Sequence, residues 1–131
     1  MIAVTIARQL RDAHERVATL VPQAIAHLRV KLAGDRTAEA FDREQHLAHG
    51  ISWLATYAEI FAALADHAEK QAAEGTFSEA DALLAQVLAG EYLNQVAGGI
   101  ALNQQEVIRP HELGLAEASL AAIRALPLFR A

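Results

Sequence analysis

Apolar residues return every three or four positions along almost the whole chain, and this single regularity restricts what it can fold into. Ile6, Leu10, Ala13, Val17, Leu20, Ala24 and Leu28 lie at helical steps, so a stretch from about Val4 to Lys31 is predicted to be an amphipathic helix with one face in a core. Pro22 interrupts it. A proline inside a helix removes a backbone donor and crowds the preceding turn, so a kink or break is expected there. Gly34-Asp35 ends the segment.

A second helix is predicted from Thr37, a suitable N-cap, to Glu74, with Gly75 as its stop. At ~1.5 Å per residue it would span roughly 55 Å. Gly50 is a candidate bend. Its apolar side carries Leu47, Ile51, Leu54, Ala58, Phe61, Ala65 and Ala68. A third helix begins at Ser78, where Asp81 completes a capping arrangement and Phe77 supplies a hydrophobic staple. It runs to about Ala97 and stops at Gly98-Gly99. A helical turn is expected from Asn103 to Val107, closed by Pro110. A last helix is expected from about Ala116 to Leu126, stopped by Pro127. Short loops between such elements make an antiparallel four-helix bundle the economical all-α architecture, as one domain over residues 1–131.

Composition supports this and excludes several functions. The chain is 53% hydrophobic but only 5% aromatic, and much of the apolar content is alanine, the best helix former. Its 11 Lys and Arg against 16 Asp and Glu leave a net charge of −5. No basic face of the kind that binds nucleic acid is evident. No apolar run reaches the roughly 18 residues of a membrane span, and no signal peptide is apparent. Absence of cysteine rules out disulfides, thiolate nucleophiles and thiolate metal sites, and fits a cytoplasmic chain. There is no phosphate-binding glycine loop, and none of the three serines sits in a nucleophile motif.

Two side-chain groups stand out. On a helical wheel His46, His49, Trp53 and Tyr57 fall within an arc of about 80°, beside the apolar stripe of the second helix. Such a semi-polar aromatic face suits a docking surface; it also suits a wide core whose histidines reach the bundle edge. His46 and His49 alone make a poor metal site, because no Glu-x-x-His motif or third ligand accompanies them. On the third helix Glu91 falls in line with Ala80, Leu84 and Val87, so it is expected to point into the core. A buried carboxylate needs a partner there, such as a histidine or Arg109. A structural anchor and a catalytic acid or base both remain open for it.

The segment from Gly90 to Ile100, with Gln95, Gly98 and Gly99, resembles the Gln-x-x-Gly-Gly turn in the C-terminal four-helix bundle of acyl-CoA dehydrogenases. A wider likeness runs from about Glu44 to Leu115. Its phrases are His49-Gly50-Ile51-Ser52-Trp53-Leu54-Ala55-Thr56-Tyr57, Gly90-Glu91-Tyr92-Leu93 and Gly98 to Pro110. These look like the helical N-terminal extension of (2S)-methylsuccinyl-CoA dehydrogenases, which are flavoenzymes. The resemblance implies an acyl-CoA dehydrogenase-like helical domain. It implies Gln95, Gly98, Gly99 and Arg109 as candidates for holding FAD or coenzyme A, the arginine and backbone amides meeting phosphate. The strand domain, catalytic glutamate and flavin pocket of those enzymes have no counterpart here. Ala101 also stands where the flavin-binding turn usually has another glycine. The expectation is therefore a non-catalytic accessory domain that self-associates or docks on a dehydrogenase-like protein, with FAD or acyl-CoA binding as the alternative.

Overall fold

The computed structural model describes residues 2–130. Helix α1 spans Ile2–Leu32, α2 Ala38–Arg43, α3 Gln45–Glu74 and α4 Glu79–Gly98. Strands β1 (Ile100–Ala101) and β2 (Val107–Ile108) form a small antiparallel hairpin, with Ile100 opposite Ile108. Helix α5 (Glu117–Arg124) and a 3₁₀ turn (Pro127–Phe129) follow. Among the described residues no helix is long and apolar enough to cross a membrane.

Helices α1 and α3 form the spine. They run antiparallel: Arg11 of α1 bonds Asp66 and Glu69 of α3, and His14 Nδ1 lies 3.0 Å from the Ala58 carbonyl oxygen. Helix α4 turns back along α3, and α5 with the 3₁₀ turn packs against α1 and α4. Gln23 ties α5 to α1, donating to Ser119 Oγ at 2.9 Å and accepting from the Ala116 amide at 3.2 Å. The seven apolar positions predicted for the second helix are all buried, as are six of the seven in α1. They join the buried side of α4, the hairpin and α5 in one continuous core.

The sequence-predicted caps are present. Thr37 Oγ1 accepts from the Ala40 amide. Gly75 closes α3 at φ +71°. Ser78 and Asp81 form a reciprocal capping box.

Several expectations need correction. Pro22 does not break α1, which is continuous from Ile2 to Leu32; Leu20 and Ala24 on either side are fully buried, and that packing outweighs one missing hydrogen bond. The second helix is two helices: Glu44 leaves helical geometry at φ −107°, ψ 20° and separates α2 from α3. Gly50 lies within α3 at a close contact, since a Cβ there would lie 2.5 Å from Ile108 Cδ1. Asn103–Val107 is a hairpin loop rather than a helical turn. The Asn103 side chain accepts from the Gln105 and Glu106 amides at 2.8 and 2.9 Å, giving the backbone a local alternative to helix. The last helix is also shorter than expected, ending at Arg124.

Candidate functional site

Residues from α3, α4 and the hairpin meet at the C-terminal end of α4. Tyr57, buried on α3, donates from its hydroxyl to Gln95 Oε1 at 2.6 Å. Burial, and then the neighbouring Tyr92, hold the Tyr57 phenol above its ordinary pKa. Arg109, just beyond β2, donates from Nη1 to the Gly98 carbonyl at 2.6 Å. Its own amide donates to Glu112 Oε2 at 2.7 Å, and this bond chiefly keeps the Glu112 carboxyl below the usual carboxylate range.

Thus Gln95, Gly98, Gly99 and Arg109 do come together, but they bind chiefly to their own chain. Gly99 is required by that packing. It sits at φ +154°, and a Cβ would lie 2.6 Å from Val107 Cγ1 and 2.9 Å from Arg109 Nη1. A Cβ on Gly98 would meet nothing within 4 Å. Ala101 is exposed on β1, paired with Val107.

The aromatic group is a ladder that leads from solvent into the core. Ring centroids are 6.4 Å apart for His49–Trp53, 6.1 Å for Trp53–Tyr57 and 4.5 Å for Tyr57–Tyr92. Trp53 is 37% exposed, and its indole N–H donates to His49 Nε2 at 3.0 Å. His49 is exposed, while Tyr57 is buried, so Tyr57 supports the face from beneath instead of belonging to it. His46 is turned toward the hairpin: its Nε2 is 3.4 Å from Glu112 Oε1 and its Nδ1 3.8 Å from Glu106 Oε2.

With this geometry, likeness to known proteins can be judged. The (2S)-methylsuccinyl-CoA dehydrogenase of Cereibacter sphaeroides is 40% identical over 87 residues, which make up 66% of this chain. The chain is similar to an acyl-CoA dehydrogenase-type protein. The match spans 16% of that enzyme's length. No protein-family model and no solved structure matches the chain.

Glu91 contradicts its expectation. It is exposed, and so are Ala80, Leu84 and Val87, the residues in line with it. The buried side of α4 is instead Ala82, Ala85, Ala89, Leu93 and Val96. Helix α4 is apolar on two sides, so its periodicity fits two phases, and in its first half the alanines Ala82, Ala85 and Ala89 turn inward. That choice leaves a feature the sequence reading missed: Leu83, Leu84 and Val87 are 57%, 69% and 64% exposed on one helix face. Among the described residues no group of three or more His, Cys, Asp or Glu side chains is placed to hold a metal ion.

Proposed function

We propose that this chain is a non-catalytic association module related to acyl-CoA dehydrogenase-type flavoenzymes, which self-associates or docks on a dehydrogenase-like protein. Its packing is read as an antiparallel four-helix bundle of the acyl-CoA dehydrogenase C-terminal type, with a short fourth member. The likeness to part of a (2S)-methylsuccinyl-CoA dehydrogenase, read as its helical N-terminal extension, supports the same assignment.

One observation carries the reading. Two acceptor atoms of the glycine turn are engaged within the chain: Gln95 Oε1 by Tyr57, the Gly98 carbonyl by Arg109. Gly99 is needed to fit Val107 and Arg109 rather than an incoming ligand. The residues present do not form an open cradle for a flavin, whereas an exposed indole is set on a rigid aromatic support beside them. Tryptophan on such a support is a common anchor of interfaces. The docking face is His46, His49 and Trp53, with Tyr57 as its buried brace. Replacing Trp53 by alanine is expected to weaken association and leave helicity intact; unchanged association removes this face from the account.

The second reading, FAD or coenzyme A binding, rests on the dehydrogenase likeness and on Arg109, whose guanidinium uses one nitrogen for Gly98. Titration with FAD and with coenzyme A at millimolar concentration decides it. Saturable binding lost in Arg109→Ala would favour this reading over the first.

A further inference from the structure

The exposed stripe on α4 is independent of the Trp53 face and shares no residue with it. Ala80, Leu83, Leu84 and Val87 follow i, i+3, i+4, i+7 spacing, the pattern of a helix side made for burial. All four are exposed. Their position explains why nothing among the described residues covers them. The C-terminal half of α4 is covered by the 3₁₀ turn, where Asn94 Nδ2 donates to the Phe129 carbonyl at 3.2 Å and Leu128 is buried. Helix α5 has only eight residues. The stripe lies farther toward the α4 N-terminus. Beside it, Leu84 and Leu88 border a cleft of about 180 Å³ lined also by Leu10, Leu64 and Ala85 and by the polar His67 and Asp81, with room for one large side chain.

Charge indicates the occupant. Helix α4 has no Lys or Arg; Glu79 and Glu91, both exposed, flank the stripe. Twelve residues separate them, about 18 Å along the axis. A second copy of the chain is poorly suited to this face. Antiparallel pairing centred on the stripe leaves Glu79 of one copy about 4.5 Å along the axis from Glu91 of the other, and parallel pairing sets each glutamate against itself. Either symmetric arrangement opposes like charges with no basic residue on α4 to offset them.

We infer that this face receives an amphipathic helix of a different protein, with an apolar stripe at helical spacing, one large anchor for the Leu84–Leu88 cleft, and Lys or Arg flanks about 12 residues apart. Such a helix would complete the fourth position of the bundle. The inference adds a second contact to the association reading but does not depend on Trp53.

The test uses the full chain and two synthetic 20-residue peptides that share one leucine stripe with a central phenylalanine. One peptide has lysine flanks and the other glutamate flanks. Binding is read by fluorescence anisotropy at several salt concentrations. The lysine peptide is expected to bind roughly tenfold tighter than the glutamate peptide. Leu84→Asp should abolish binding, and the double variant Glu79→Lys/Glu91→Lys should invert the preference. Trp53→Ala should leave it unchanged, which separates this result from failure of the Trp53 face. Circular dichroism checks that each variant is folded; the substituted side chains are exposed. Absence of binding by either peptide, or a preference that ignores the charge exchange, overturns the inference. So does a wild-type dimer that Leu84→Asp dissociates, because the occupant is then a second copy.

Discussion

A methyl group added to Gly99 would come 2.6 Å from Val107 Cγ1, while the same group on Gly98 would meet nothing within 4 Å. Gly99→Ala should therefore lower stability by about 2 kcal/mol, through its φ of +154° and the contact with Val107. Gly98→Ala should be neutral or slightly stabilising, since alanine is the better helix former. Urea unfolding midpoints distinguish them; equal losses would show that the turn is not held by its own packing. Tyr57→Phe removes one hydrogen bond to a half-buried amide and should lower stability by about 1 kcal/mol. The Tyr57 phenol is held above its ordinary pKa by burial, so the folded state retains a proton that the unfolded chain releases first. Stability should fall as pH rises beyond about 10, and a pH series should show a shallower decline in Tyr57→Phe. At this scale the sequence was legible where chemistry is local. Thr37, Gly75 and the Ser78–Asp81 pair announce their roles through neighbours a few positions away. The Tyr57–Gln95 bond joins residues 38 positions apart, and nothing local to either predicts it.

Among the elements, α3 was readable because its apolar side is bulky and its other faces are largely polar. Helix α4 was not, because leucine, valine and alanine populate both sides, and in its first half Leu83, Leu84 and Val87 face solvent. The hairpin was missed for another reason: its two-residue strands are too short to show alternation, and the Asn103 turn that makes it is a side-chain effect. Its packing on α3 is testable. Gly50→Ala should destabilise, since overpacking of about 1–3 kcal/mol against Ile108 and Leu113 exceeds the helix-propensity gain of about 1 kcal/mol. In an Ile108→Ala background the same change should become stabilising. A double-mutant cycle by chemical denaturation reads the sign, and no coupling would mean that α3 and the hairpin do not meet at Gly50. The start of α4 has its own pH signature. The Ser78 amide, and then its hydroxyl, hold the Asp81 carboxyl below the usual range. That contribution is fully present above the ordinary aspartate value and is lost as pH falls from there through the lowered value of the folded state. Ser78→Ala should weaken this acid dependence.

For the whole molecule, the all-helical reading and the dehydrogenase likeness were available from the sequence, the first from periodicity and the second from the phrases around Trp53 and Gly98. Which surfaces are free was not, because exposure depends on how short α5 is and which side of α4 turns inward. Exposed Trp53, on the proposed function, is an association surface. Solution mass by light scattering after size exclusion tests this, for wild type and Trp53→Ala, alone and mixed with the Cereibacter sphaeroides dehydrogenase. Wild type is expected to form a dimer or larger species, or a complex with that enzyme, and Trp53→Ala to shift it to lower mass with unchanged circular dichroism. Identical masses for both proteins, alone and in the mixture, would contradict it.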